Sequence, residues 1–267
     1  MTRRRALVND AITRFRQALK AGHVCLGPAI TLSDPLVTDA LGDSVDFFWI
    51  DLEHSNMSPD AVNGHLLAAR ARNVPALVRV SASGTPFIKP ALDAGADGIV
   101  VPQVQGVEEV RQVVRDCRYP PLGRRGFGPR VPSNYGRDGG GAYVERANRN
   151  IFVAAQIETL EAMETIDEIV SVPGLDSVVI GPWDLSGALG MLGDVDHPNV
   201  VAAMETIIRS ARAAGLFVGA GMGTDPDYAS MMAKIGVQWL QVGGDFGYLV
   251  DFMDQFTSAV RSRLESR

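Results

Sequence analysis

Lysine is scarce in this chain. Of 25 basic residues only Lys20, Lys89 and Lys234 are lysines, and arginine supplies the rest. Chemistry that needs a lysine amine therefore has three positions to draw on. Cysteine is scarcer still. Cys25 and Cys117 lie far apart with no CxxC pair, and they read as reduced core thiols of a cytoplasmic protein rather than as a disulfide. No apolar run approaches the roughly 20 residues that cross a bilayer. No basic block follows the first few residues, and the formal net charge is −6; nucleic acid is not an expected partner. The opening "MTRRRALVNDAITRF" is basic but has no apolar centre, so it does not read as a secretory signal. No GxGxxG follows an early strand, which disfavours an open dinucleotide-binding sheet.

What is present is apolar and regularly spaced. The 267 residues are 46% hydrophobic, enough for one large core. Eight short runs recur: "HVCLGPAI", "DFFWIDLE", "VPALVRVS", "GIVVPQV", "IFVAAQIE", "SVVIGPW", "LFVGAGM" and "WLQVGGD". Each is nearly continuous in Val, Ile, Leu or Phe, as strands buried on both faces are. Stretches of helical spacing lie between most of them, among them "SPDAVNGHLLAARARN" and "HPNVVAAMETIIRSARAAG". Ser58 followed by Pro59 marks one helix start. Eight strands alternating with helices, with no break in composition, predict a single (β/α)8 TIM barrel over residues 1–267. An open doubly wound sheet is the runner-up. Residues 6–21 are expected as one extra helix closing the bottom of the barrel.

A barrel of this kind places its chemistry at the C-terminal ends of the strands. That geometry gives meaning to "FFWIDLEHSNMSPD", where an apolar strand runs out into Asp51, Glu53 and His54. The other strand ends carry Arg79, Gln103, Gln156, Glu158 and Asp184, and the glycines of "GAGMG" and "VGGDFG". Glu158 and Asp184 form the usual oxygen pair for a divalent metal, with water and substrate in the other positions; each could instead cap the helix that follows it. Arg79 in an apolar strand needs an anion, either a substrate or a structural partner such as Glu53 or Asp51. His54 is the only one of four histidines at a strand end. Asp93 sits late in a helical stretch. The glycine clusters suit phosphate or tight turns. The long segment 118–141 puts Arg125, Arg130 and Tyr135 on a path to the site or to a neighbouring subunit, or is a solvated loop.

Six segments, "DLEH", "LVR", "LDAGADGIVVPQVQ", "RYPPLGRRGFG", "QIET" and "GPWDLS", run in the order found in a known family. The chain resembles the HpcH/HpaI aldolase/citrate lyase family, and within it the metal-dependent pyruvate aldolases acting on 4-hydroxy-2-oxoheptanedioate or 2-keto-3-deoxy-rhamnonate. The resemblance implies a barrel whose last helix is exchanged between subunits, usually in a hexamer. It implies Glu158 and Asp184 as ligands of Mg²⁺, Mn²⁺ or Co²⁺, Arg79 on the substrate's keto oxygen, and His54 as the catalytic base with Asp93 paired to it. It puts Gln156 along the metal site and the pyruvate carboxylate on backbone amides around Pro182 and Trp183. The implied substrates are pyruvate and an aldehyde, joined or cleaved as a 4-hydroxy-2-oxo acid through a metal-bound enolate. A Schiff base is the other way to store the electron pair, and all three lysines fall in helical stretches. The chain departs from the pattern at "GPAITLSDP", where several members carry an aromatic residue, and at Gln103, where many have Met. A citryl- or malyl-CoA-type lyase is the alternative within the superfamily. A phosphate-binding barrel or a silent sugar-acid binding protein is the alternative outside it.

Overall fold

A computed structural model describes residues 10–265. The order is α1 (Asp10–Lys20), β1 (Cys25–Ile30), α2 (Leu36–Leu41), β2 (Phe48–Asp51), α3 (Pro59–Arg72), β3 (Ala76–Arg79), α4 (Thr85–Ala94), β4 (Gly98–Val101) and α5 (Val107–Cys117). It continues with α6 (Gly140–Asn150), β5 (Phe152–Ile157), α7 (Leu160–Glu164), α8 (Ile166–Ile169), β6 (Ser177–Ile180), α9 (Pro182–Ala188), α10 (Pro198–Ala213), β7 (Phe217–Met222), α11 (Pro226–Lys234), β8 (Trp239–Gly244) and α12 (Asp245–Glu265). The eight strands pair in sequence order, all parallel, and β8 closes on β1. Every apolar run contains one strand, and the closed barrel takes the place of the open sheet.

Alternation along the strands sorts the core into two parts. Trp49, Leu77, Val100, Ala154 and Val179 cluster with residues of α1, inside the barrel. Their neighbours Phe48, Ile50, Val78, Ile99 and Val153 cluster with the helices outside. Successive strand residues point to opposite faces, so both faces must be apolar. The inward row also predicts what lies at the mouth. Two steps on from Trp49 is Asp51, from Leu77 is Arg79, from Ala154 is Gln156, and from Gln156 is Glu158.

The N-terminal end of the barrel is plugged. Phe15 of α1 lies 5.4 Å from Phe47, 5.7 Å from Phe152 and 6.3 Å from Trp239, ring to ring. Residues 6–9 of the expected helix lie outside the described residues. Gly219 is needed here, because a Cβ on it would sit 2.2 Å from the Trp239 indole. Ser58 caps α3 as its sequence indicates, accepting a hydrogen bond from the Ala61 N–H at 3.2 Å.

Of the paths open to the segment after α5, it does not take the one to the C-terminal mouth of its own barrel. Arg118 donates to the Asn148 carbonyl at 2.7 Å and to the Gly174 carbonyl at 2.7 Å, both beside the starts of β5 and β6. Arg125 reaches Asp93 at the end of α4. Buried arginines need such partners, and here carbonyls and a carboxylate at the N-terminal face provide them. Arg130 and the exposed Tyr135 stay with the same segment. None of the helices among the described residues is long and apolar enough to cross a membrane.

Candidate active site

Parallel register puts Asp51 beside Arg79 at the ends of β2 and β3. Both side chains point inward, so they pair. Arg79 Nε donates to Asp51 Oδ1 at 2.9 Å and Nη2 to Oδ2 at 2.6 Å. Nη1 lies 2.8 Å from Glu53 Oε2, and the guanidinium carbon stands 5.2 Å over the Trp49 ring. Burial alone would lower the Arg79 pKa; the bond to Asp51 and the charges of Asp51, Glu53 and Glu158 outweigh it and hold the group above its ordinary value. The structural partners weighed for Arg79 are therefore present. A guanidinium has five N–H donors, and the two bonds to Asp51 occupy two of them.

Glu158 follows β5 and is 3% exposed. Its Oε1 accepts the Gln103 N–H at 2.8 Å, and its Oε2 accepts Nε2 of Gln156. Gln103 holds a left-handed backbone, φ 52°, to aim that N–H. Such strain on a non-glycine residue is characteristic of functional turns. Gly181 leaves the space, since a Cβ there would lie 2.1 Å from Glu158 Oε2. Burial is the main force raising the Glu158 carboxyl, to about 7; the bonds from Gln156 and Gln103 oppose it, and the negative charges of Asp184 and Glu53 add to it. Glu53 is raised as well, first by burial, with Arg79 and His54 opposing and Asp51 and Asp184 adding.

Neither carboxylate of the expected metal pair is a helix cap. Thr159 caps α7 through a bond from the Ala162 N–H. The N-cap of α9 is Gly181, with no side-chain cap, and exposed Asp184 lies in the first turn. Buried Glu158 is thus a carboxylate crowded by other carboxylates, a cost that a bound cation would relieve. The donors are hard oxygens suited to Mg²⁺ or Mn²⁺. Among the described residues no three His, Cys, Asp or Glu side chains form a closed cage. The pair fits an ion that keeps most of its coordination sphere for water and substrate.

The remaining expected residues divide between the two ends of the barrel. Gln156 is buried at the mouth, and its Oε1 has no partner. Pro182 opens α9 and has no N–H of its own. The donors there are Trp183 and Asp184, because the first intrahelical bond runs from Leu185 to the Gly181 carbonyl. His54 stands at the same mouth, its side chain 65% exposed and its Nε2 3.8 Å from Glu53 Oε2. Asp93 is not brought to it within the chain. It lies in the last turn of α4, at the opposite end of the barrel, and binds Arg125 Nη2 at 2.9 Å. Glu53, one of the strand-end residues, has no role assigned by the sequence beyond a partner for Arg79, yet it lies against Arg79 and His54 and acts on Glu158. The alternation Trp49, Asp51, Glu53 was the available signal. Lys20 ends α1, Lys89 lies within α4 and Lys234 ends α11, so no lysine stands at a strand C-terminus.

Comparison with known proteins bears on the family and the fold. The family model described as HpcH/HpaI aldolase/citrate lyase matches residues 31–251. A 2-keto-3-deoxy-L-rhamnonate aldolase of Escherichia coli (strain K12) is 33% identical over 93% of this chain and 93% of its own length. A hydroxypyruvate/pyruvate aldolase of Pseudomonas aeruginosa is 32% identical over 90% of this chain and 89% of its own. The crystal structure of an HpcH/HpaI aldolase from Desulfitobacterium hafniense DCB-2 superposes with a TM-score of 0.84 at 31% identity, covering 92% of this chain and 96% of that one.

Proposed function

The chain belongs to the HpcH/HpaI aldolase/citrate lyase family, and from that premise we infer that it is a carbon–carbon lyase, a class II pyruvate aldolase. It reversibly cleaves 4-hydroxy-2-oxo acids to pyruvate and an aldehyde. The observation that carries the reading is the pair Glu158 and Asp184, two carboxylates at neighbouring strand ends that cap nothing, the charge of Asp184 adding to the cost of ionising buried Glu158.

These two residues would hold a divalent ion, Mg²⁺, Mn²⁺ or Co²⁺. Bound there, the ion supplies Lewis-acid polarisation of the 2-oxo group. The protein's own residues do the rest. Arg79 has N–H donors to spare for the oxygen on which negative charge develops; a preorganised donor of this sort contributes about 10²–10³ in rate. The N–H groups of Trp183 and Asp184 suit the substrate carboxylate. Gln156 holds Glu158 in place. His54 takes the proton from the C4 hydroxyl, directly or through one water. The C3–C4 bond then breaks, C4 leaves as the aldehyde carbonyl, and the electron pair stays on the pyruvate enolate until C3 is protonated. A pairing of His54 with Asp93 would require a second subunit, because within one chain Asp93 serves Arg125.

The assembly proposed is a cytoplasmic hexamer in which α12 is exchanged between subunits. Two features support the exchange. Leu249, Phe252, Met253, Phe256 and Leu264 are all exposed along α12. Beside β8 an apolar groove of about 400 Å³, walled by Leu26, Ala229, Ala233, Leu240 and Val242, lies where a returning helix would pack. A stripe of that size on water is unusual for a monomer.

The test of function is metal dependence without a Schiff base. Chelation by EDTA should abolish cleavage of 4-hydroxy-2-oxo acids, and Mg²⁺, Mn²⁺ or Co²⁺ should restore it. Borohydride with pyruvate should leave activity intact. Trapping of pyruvate on Lys20, Lys89 or Lys234 would overturn the reading.

A further inference from the structure

We propose that Asp245 is a positioning residue, and that the segment it clamps, Thr31–Leu32, walls the aldehyde end of the site. The inference rests on the aldolase reading above. Asp245 is 2% exposed at the junction of β8 and α12. Its Oδ2 accepts the Thr31 N–H at 3.0 Å and the Leu32 N–H at 2.9 Å. Its Oδ1 accepts the Thr31 hydroxyl at 2.7 Å and the Phe246 N–H at 3.0 Å. None of these four donors is a cation.

A buried carboxylate without a cation is costly unless hydrogen bonds replace its water. Four donors do so here, and three come from one two-residue segment. Helix capping does not explain the arrangement. A cap accepts the N–H of N2 or N3, whereas within α12 this side chain reaches only its immediate neighbour. Farther along the same connection Thr38 is buried and bonds His65 of α3 at 2.8 Å. The chain leaving β1 is therefore held at Thr31 and Leu32 by Asp245 and again at Thr38 by His65.

Its position says what it is for. In a closed ring of eight strands β1 stands across the mouth from β5, and β2 across from β6. Glu158 and Asp184 follow β5 and β6, so the pyruvate half belongs on that wall. The half beyond C3 must extend toward β1 and β2. Thr31 continues β1 directly beside Asp51, because Ile30 pairs with Ile50. His54 rises from the same side. Leu32, with an exposed apolar side chain, is the next residue of that segment.

The experiment compares two reactions of the Mg²⁺-supplemented full-length enzyme. Exchange of the C3 protons of pyruvate in D₂O needs no aldehyde; aldol addition to glycolaldehyde does. Asp245→Asn turns one acceptor into a donor facing donors and releases the segment. We expect addition to fall about 10- to 100-fold, the range for a small misplacement of a reacting group, chiefly through the KM for glycolaldehyde. Proton exchange should stay within about twofold. Thr31→Val, which removes one donor and keeps the shape, should show the same split more weakly. A parallel fall of both reactions, or no change in either, overturns the inference. If Asp245→Asn does not fold, absence of the split in Thr31→Val overturns it. Unaltered enzyme that exchanges no proton would sink the aldolase reading and this inference with it, a result distinguishable because it needs no variant.

Discussion

Replacing Glu158 by Gln should stabilise the protein when metal is removed and lose most of that advantage over the unaltered chain when metal is supplied. The folded state keeps the Glu158 proton up to about 7, whereas an ordinary glutamate loses it near 4.5. Between those values the folded chain binds more protons than the unfolded one, so stability falls as pH rises. The penalty is absent below about 4.5 and complete above about 7. A displacement of this size corresponds to roughly 3 kcal/mol, an upper bound. The variant lacks the charge and fits the space. Its oxygen can keep the Gln103 N–H, and its NH₂ can face Gln156, whose Oε1 has no partner and can turn to accept it.

The assay is thermal unfolding in EDTA and in excess Mg²⁺ or Mn²⁺. At about 2–4 °C per kcal/mol for a chain of this size, Glu158→Gln should melt about 5–10 °C higher than the unaltered protein at pH 8 in EDTA. At pH 5 the gap should shrink to roughly 1 kcal/mol or less. Metal at a hundredfold excess over its Kd should raise the unaltered protein by about 2.7 kcal/mol and leave the variant alone. Its affinity for the unaltered protein should weaken below pH 7, because the proton competes for Glu158. A variant that melts lower at pH 8 in EDTA, or that gains as much from metal as the parent does, would refute the reasoning.

Asp184→Asn should lose bound metal by elemental analysis and keep its far-UV circular dichroism, since its side chain is exposed and caps no helix; full occupancy would remove it from the ligand set. His54→Ala should lose roughly 10²–10⁴ in aldol cleavage but much less in oxaloacetate decarboxylation, which has no C4 hydroxyl proton to move. Arg79→Lys, which loses the planar fork, should impair both reactions together; an unchanged ratio of the two activities in His54→Ala would move the base elsewhere. Deleting residues 245–267 should break the oligomer into smaller species on a sizing column, and an intact oligomer would count against exchange of α12.

The strands were legible because a barrel buries both of their faces. Runs such as "DFFWIDLE" have no polar stripe to obscure them, and their last inward residues are the first that the core does not require to be apolar. That is why Asp51, Arg79, Gln156 and Glu158 stand out in the sequence. Contacts that cross from one strand to another were not legible, because they depend on register. Nothing in "LVR" decides between a substrate, Glu53 and Asp51 as the partner of Arg79, or states that Glu53 lies near enough to Glu158 to raise it. Asp93 shows the opposite case. Its place late in a helix already implied the N-terminal face, since every helix of such a barrel descends from the mouth; the motif around it suggested His54 instead. "VGGDFG" drew attention to its glycines and away from the carboxylate between them. Gly243 is needed, with φ 62° and the Thr224 side chain 2.4 Å from any added Cβ, but the residue that reaches another part of the site is Asp245. A carboxylate at the end of an apolar strand is costly wherever it is buried, and its donors identify what it holds. By that reasoning the two buried strand-end carboxylates that accept backbone N–H groups from other loops, Glu158 from Gln103 and Asp245 from Thr31 and Leu32, stand at opposite walls of one mouth. One is surrounded by negative charge and suits a cation. The other is surrounded by donors and fixes a loop.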